Sequence, residues 1–117
     1  METEIFEFRM LAYRSGHSLL FIAATREETT VYWSFEGVEY LEGPMLWRGA
    51  AFKAESNDKC LEYLRRIRRF DKLPDAYLVS YFKLFVSGIV EEIEVKIVAL
   101  SGDVSMDNPL VMFRDFS

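Results

Sequence analysis

The chain has 117 residues, of which 50% are hydrophobic and 28% are charged, a balance typical of globular proteins that excludes a disordered chain. This length suits one domain over residues 1–117 with one sizeable core. The formal net charge of −5 at pH 7 disfavours nucleic acid as a partner, because the overall field repels a phosphate backbone.

Three strands are predicted in the first third of the chain, over residues 5–13, 19–25 and 29–36. The cluster Ser-Gly-His-Ser at 15–18 forms the first turn, and the charged residues 26–28 form the second. The first two strands are therefore predicted to form a hairpin. Shared faces are expected for Phe6, Phe8, Met10 and Ala12 in the first strand, and for Val31, Trp33 and Phe35 in the third.

Single glycines recur through the middle of the chain, at Gly37, Gly43 and Gly49, and Pro44 follows the second of them. Glycine inside a strand pattern marks a bulge or a sharp bend, and proline cannot donate to a sheet ladder. Residues 38–54 are therefore predicted as short strands and bends rather than as one long element.

A helix is predicted over residues 57–70. Ser56 can accept a hydrogen bond from a first-turn amide, and Asp58 suits the positive end of the helix dipole. Pro74 ends the helical pattern, since the residue before a proline is pushed away from helical geometry. The apolar face of this helix comprises Cys60, Leu61, Leu64 and Ile67.

The last third of the chain predicts strands over residues 76–87 and 89–100, with Gly88 at the bend between them. Residues 101–109 are rich in turn formers, and residues 110–113 can add a short last strand. In the 89–100 strand one face carries Ile89, Ile93, Val95 and Ile97, and the other carries Glu92, Glu94 and Lys96, which predicts a face in contact with water.

The order of strands, helix and strands predicts an α+β fold, a mainly antiparallel sheet of about five to seven strands with one principal helix (about 57–70) packed on one face. The alternative is a partly closed β-barrel plus a helix. Several strands carry aromatic residues at both odd and even positions, which places aromatic side chains on both faces of the sheet. The helix packs on one face only, so the aromatic side chains of the second face need another element or a second chain to bury them. A two-fold homodimer that packs sheet on sheet or edge on edge would supply that second chain.

The sequence predicts a cytoplasmic protein that does not enter the membrane. The first residues are acidic, with no basic residue before Arg9, unlike a secretory signal. The longest apolar run near the front, 19–24, is far shorter than the roughly 20 residues that span a bilayer. Cys60 is the only cysteine, which excludes an internal disulfide and suits a reducing compartment.

No catalytic or metal centre can be identified from residue spacing. His17 is the only histidine, and no spacing pairs it with a nucleophile. Cys60 on the apolar helix face is interpreted as a small buried hydrophobe. Asp103, Ser105 and Asp107 begin like a calcium loop, but the required glycine and the closing glutamate are missing. An enzyme is therefore disfavoured though not excluded, and no cofactor or metal is expected.

The sequence favours a small non-enzymatic protein-interaction module, of the accessory, inhibitor or immunity type, that binds a protein partner or itself. Arginines at 65, 66, 68 and 69 form a basic run in an acidic chain, and aromatic residues often anchor interfaces. The alternatives are a nucleic-acid-associated regulator that uses the basic helix and a small-molecule-binding domain with an aromatic pocket. The candidate partner-binding residues are Arg65, Arg66, Arg69, Trp33 and Trp47.

Overall fold

A computed structural model describes residues 4–14, 16, 18–68, 70–88 and 94–108. Over these residues the chain forms nine strands and two helices, and every strand pair is antiparallel. The strands and helices are β1 Phe6–Arg14, β2 Leu19–Arg26, β3 Thr29–Glu36, β4 Tyr40–Glu42, β5 Leu46–Gly49, β6 Lys53–Ala54, α1 Asn57–Arg66, α2 Asp75–Tyr81, β7 Lys83–Gly88, β8 Glu94–Ala99 and β9 Ser101–Ser105.

The strands divide into two open sheets rather than the single sheet expected from the sequence. One sheet has the order β5-β1-β2-β3-β9 and the other has the order β4-β8-β7-β6. The α+β class and the antiparallel pairing are therefore confirmed, and α1, the predicted principal helix, packs on one face of the four-stranded sheet. The single sheet, the five to seven strands and the barrel alternative are wrong, and α2 is a second helix that the sequence did not predict. The chain crosses between sheets near Gly37 and Gly43, whose φ angles of 66° and 142° lie in a region that favours glycine.

The first hydrophobic core lies between the two sheets. Trp33 and Phe35 of β3 face it, as predicted, and Phe35 is fully buried. The second sheet thus covers the aromatic face of the first sheet within one chain. The buried residues of this core are Phe8, Leu20, Ile22, Ala24, Phe35, Trp47, Phe52, Phe85, Val95, Ile97 and Ala99.

The second core lies between the four-stranded sheet and the helices. Ser56 caps α1, because the Lys59 N–H donates to Ser56 Oγ at 3.3 Å. The helix ends at Arg66 rather than at Phe70, and Arg68 and Phe70 have positive φ angles of 56° and 61° that no α-helix continues. The buried residues of this core are Cys60, Tyr63, Leu64, Leu78, Phe82, Leu84, Val86 and Val98.

The predicted strand over residues 76–87 is wrong in its first half, where the chain forms α2. Pro74 stands at the N-cap of α2 with a φ of −64°, so it begins this helix as well as ending the previous pattern. Leu78 and Phe82 lie four positions apart and are both buried. The apolar residues therefore follow the helical period, and only β7 keeps the predicted strand.

The strand pairing differs from the expected one at a bulge in β1. The register between β1 and β2 shifts between Met10 and Ala12, which places Ala12 opposite Phe21 and Tyr13 opposite Leu20. The predicted shared face of Ala12 and Met10 is therefore wrong, and Tyr13 lies on the same side of the sheet as the buried Leu20, although its own side chain stays exposed.

The sequence also failed to predict β9, since residues 101–105 have the composition of a turn. Pairing with β3, with Val104 opposite Trp33, overrides that local preference.

The predicted face of β8 in contact with water is only partly correct: Glu94 is exposed, but Val98 is buried beneath the helices. The predictions for Ile89, Glu92, Ile93 and residues 110–113 lie outside the described residues. No helix in the described part of the chain is long and apolar enough to cross a bilayer.

Candidate functional site

Arg65, the first predicted partner-binding residue, holds the loop that joins the two helices. Its guanidinium donates to the carbonyl oxygens of Phe70 at 3.2 Å, Asp71 at 3.3 Å and Leu73 at 2.8 Å. It also pairs with the carboxylate of Asp75, in the first turn of α2. Several donors of this planar group are thus used within the chain itself.

We expect Arg65→Lys to loosen this loop, because an ammonium cannot reproduce the planar fork that reaches several carbonyl oxygens at once. The free energy of unfolding should fall by about 1 kcal/mol, the size of one typical net hydrogen bond. Trypsin should cleave faster after Lys72, in the middle of the loop. Arg66→Lys is the matched control and should change neither quantity. An unchanged cleavage rate in Arg65→Lys would contradict the loop-holding role.

Arg66 lies on the other side of α1, over the ring of Tyr63 with 5.2 Å between its Cζ and the ring centroid. Lys96 approaches the same ring at 5.1 Å. The Tyr63 hydroxyl donates to Glu42 Oε2 at 2.7 Å. Burial is the larger cause and this hydrogen bond the second cause that raise the pKa of Tyr63 well above its ordinary value. The cation–π contact of Arg66 therefore lies within α1, whereas Lys96 of β8 and Glu42 of β4 join the Tyr63 side chain to the four-stranded sheet.

A polar cleft of about 260 Å³ opens beside Tyr63. Its charges are balanced, since Lys59 pairs with Glu55 at 3.4 Å and Lys96 pairs with Glu94 at 3.8 Å. Such a cleft lacks the concentrated positive charge that a phosphate backbone requires. Arg69, the remaining predicted arginine, lies outside the described residues. The charged residues of the cleft are Glu55, Lys59, Glu62, Arg66, Glu94 and Lys96.

The two predicted tryptophans belong to the core between the sheets. Trp47 is only 7% exposed and stacks on Phe8 with 4.9 Å between ring centroids. Trp33 is half-buried and stacks on Phe35 at 6.0 Å. Trp47 therefore presents almost no surface to a partner, and Trp33 presents only part of its ring.

The surroundings of Cys60 do not activate its thiol. Cys60 is buried, its thiol contacts the Phe82 carbonyl oxygen at 3.6 Å, and burial raises its pKa. A thiol with a raised pKa is mostly protonated near neutrality and is a poor nucleophile. His17 lies outside the described residues. No group of three or more metal-ligating side chains occurs in the part of the chain that the structure describes.

An apolar opening lies where the core between the sheets reaches the surface, and we call it the edge cleft. Its volume is about 320 Å³. One wall is the second half of β1, and the other is formed by residues 38–45, which include β4. The lining residues are Met10, Leu11, Ala12, Tyr13, Leu20, Val38, Glu39, Tyr40, Leu41 and Met45.

The floor and the rim of the edge cleft differ in exposure. Leu20, on the floor, is 2% exposed, and Met10 packs against the core between the sheets. On the rim, Tyr13 is 54% exposed, Leu41 is 37% exposed and Met45 is 69% exposed. The rim thus exposes three large side chains next to an apolar floor.

The edge cleft also borders unpaired backbone. β5 pairs with β1 only from Phe6 to Arg9, and the Met10 N–H donates to the Met45 carbonyl oxygen at 3.0 Å. Beyond that bond, Ala12 and Tyr13 pair only with β2 among the described strands, and Leu11 is the bulged residue of β1. Their other edge therefore lies open along the cleft.

The edge cleft could not be predicted from the sequence. Comparison with protein families, curated proteins and solved structures finds no match. One sequence signal was the apolar Met45 directly after Pro44, in a segment predicted as short strands and bends.

Proposed function

We propose that this chain is a protein-interaction module that binds an extended apolar segment of a partner protein in the edge cleft. The segment pairs with β1 as an added strand and places alternate side chains in the cleft. The observation that carries this proposal is the coincidence of an open strand edge with an exposed apolar rim. These two features are the requirements of recognition by strand addition.

The backbone supports the proposal because residues 11–13 present their outer edge beyond the end of β5. A strand edge offers hydrogen-bonding groups that pair with any extended chain, whatever its sequence. Main-chain bonds then supply affinity, while the pockets that receive alternate side chains supply specificity.

The side chains support an apolar segment. Burying the exposed parts of Tyr13, Leu41 and Met45 removes apolar surface from water, which stabilises a complex by about 25 cal/mol per Å² before the costs of association. The cleft volume of about 320 Å³ lies at the lower end of the range for small-molecule sites. A shape that follows a strand edge suits the side chains of an extended segment better than a compact ligand.

A displayed library of short random peptides tests the proposal. Peptides selected on the wild-type protein should carry apolar residues at every second position. Leu41→Lys places a charge on the rim and should weaken these peptides about tenfold or more, a loss of about 1.4 kcal/mol. Tyr81→Lys is the matched control, since Tyr81 is 53% exposed on α2, away from the cleft, and should leave binding unchanged.

N-methylation of the selected peptides distinguishes strand addition from simple apolar adhesion. Methylation of alternate amides should abolish binding in one parity and spare it in the other, because only every second residue bonds to the edge. Equal effects of both parities would contradict strand addition. A small-molecule site would be favoured instead if no peptide bound, while a small apolar fluorophore bound to the wild-type protein and not to Leu41→Lys. Circular dichroism of both variants checks that they fold.

A further inference from the structure

The strand β9 forms the other edge of the five-stranded sheet, on the side opposite β5. Among the described strands it pairs with β3 alone, over Ser101–Ser105. Two large apolar residues here are well exposed, Val104 at 53% and Met106 at 66%. This edge therefore combines open backbone with apolar side chains.

Natural edge strands are protected by brevity, by lysine or proline, or by a bulge. The other edge strands of the two sheets fit this description. β6 has two residues and includes Lys53, β4 has three residues, and β5 follows Pro44 and carries the exposed Arg48. β9 is longer than each of them, has no lysine, arginine or proline, and pairs with β3 without a register shift. Its only charged residue is Asp103.

The side chains of β9 are complementary to those of a second β9 in one register. In an antiparallel pair related by a two-fold axis, Val104 can lie opposite Val104 of the other copy. Asp103 then lies opposite Ser105, whose hydroxyl can donate to the carboxylate, and Gly102 lies opposite Met106. A small residue thus receives a large one, and each acid meets a donor.

The neighbouring registers are disfavoured by charge. Centring the pair on Asp103 places two aspartates directly opposite each other. Centring it on Ser105 places Asp103 opposite Asp107. Like charges directly opposite destabilise a strand pair. A shift of the register by an even number of residues keeps the inward face of both copies on the same side of the joined sheet, whereas an odd shift does not. The registers centred on Asp103 and on Ser105 are therefore the relevant competitors.

We propose that β9 is a self-association edge, at which two copies of this chain join their five-stranded sheets with Val104 opposite Val104. The partner is a second copy because this strand is complementary to itself in side-chain size, in charge and in hydrogen bonding. This inference is independent of the edge cleft, which lies beside β1 and β4. Leu41→Lys should therefore leave self-association unchanged.

Sedimentation velocity across micromolar concentrations gives the first test. The wild-type chain should shift with concentration towards twice its mass of 13.7 kDa. Val104→Lys places two like charges at the centre of the pair and should remain monomeric, while Tyr81→Lys, a matched exposed site, should associate like the wild type. A wild-type chain that stays monomeric, or a Val104→Lys chain that still dimerises, overturns the proposal.

Cysteine cross-linking tests the register. Residues directly opposite in an antiparallel pair have Cα atoms about 4.5–5.5 Å apart, within the about 4.4–6.8 Å that a disulfide needs. Val104→Cys alone should form a cross-linked dimer under mild oxidation. Asp103→Cys and Ser105→Cys should cross-link with each other when mixed, but not each alone. The wild-type chain is the background control, since Cys60 is buried. Equal cross-linking at all three positions, or none, overturns the proposed pairing.

Discussion

Replacing Phe35 with alanine should lower the free energy of unfolding by about 3–5 kcal/mol, the range for truncation of a buried phenylalanine. Phe35 is 0% exposed. Its ring meets the rings of Phe52 at 5.1 Å and Phe85 at 5.2 Å edge-on, so it joins both sheets. A Cβ on Gly102 of β9 would lie 2.8 Å from the Phe35 ring, which shows how closely that strand packs on it.

Urea unfolding followed by far-ultraviolet circular dichroism measures this effect. Tyr81→Ala is the control, because Tyr81 is an aromatic residue with 53% of its surface exposed. Its loss should stay within about 0.5 kcal/mol, as for ordinary surface substitutions. If Phe35→Ala cost less than about 1 kcal/mol, well below the usual large-to-small range, the core between the sheets would not be centred on this ring.

Periodicity and end signals predicted the elements whose local and tertiary preferences agree. The bounds of β3 match the predicted residues 29–36, and the start of α1 follows the Ser56 cap. The predicted core residue Leu64 is 0% exposed. In these segments the alternation or the helical period is long enough to identify the buried face without knowledge of the partner element.

The errors occurred where one pattern fits two structures or where pairing overrides composition. The apolar residues of α2 suit a strand or a helix, and only packing of Leu78 and Phe82 decides between them. β9 has turn-forming residues but pairs with β3 over its whole length. A bulge at Leu11 changes which side chains of β1 face the core, and nothing in local composition marks it.

The candidate site was beyond sequence reasoning for a related reason. The edge cleft exists because β5 ends its pairing with β1 early and because β4 belongs to the other sheet. From the sequence, exposed apolar residues can be recognised only by residue type, which favours the tryptophans as interface candidates. The structure buries Trp47 and exposes Tyr13 and Met45 instead. Which apolar residues remain outside depends on where strands end, which is a property of the assembled sheets.

A joint between the two sheets explains why Trp47 is buried. β5 of one sheet and β7 of the other approach so closely that a Cβ on Gly49 would lie 2.4 Å from the Gly88 carbonyl oxygen. The Ala50 N–H donates to that same oxygen at 2.9 Å. Ser87, the one buried polar side chain among the described residues, lies in this joint.

Ser87→Ala should destabilise the protein by removing both hydrogen bonds of a single hydroxyl. The Trp47 indole N–H donates to Ser87 Oγ at 3.1 Å, and the Ser87 hydroxyl O–H donates to the Ala50 carbonyl oxygen at 2.6 Å. An indole N–H left buried without an acceptor costs about 1–3 kcal/mol, and the half-buried carbonyl adds to this loss.

In a Trp47→Phe background the same substitution should cost less, because the donor is already absent. Urea unfolding of the four proteins measures this coupling, and Ser80→Ala, whose hydroxyl is exposed on α2, is the control that should lose under about 0.5 kcal/mol. Additive losses in the double variant would show that the hydroxyl and the indole stabilise the fold independently, and that this bond does not join the sheets.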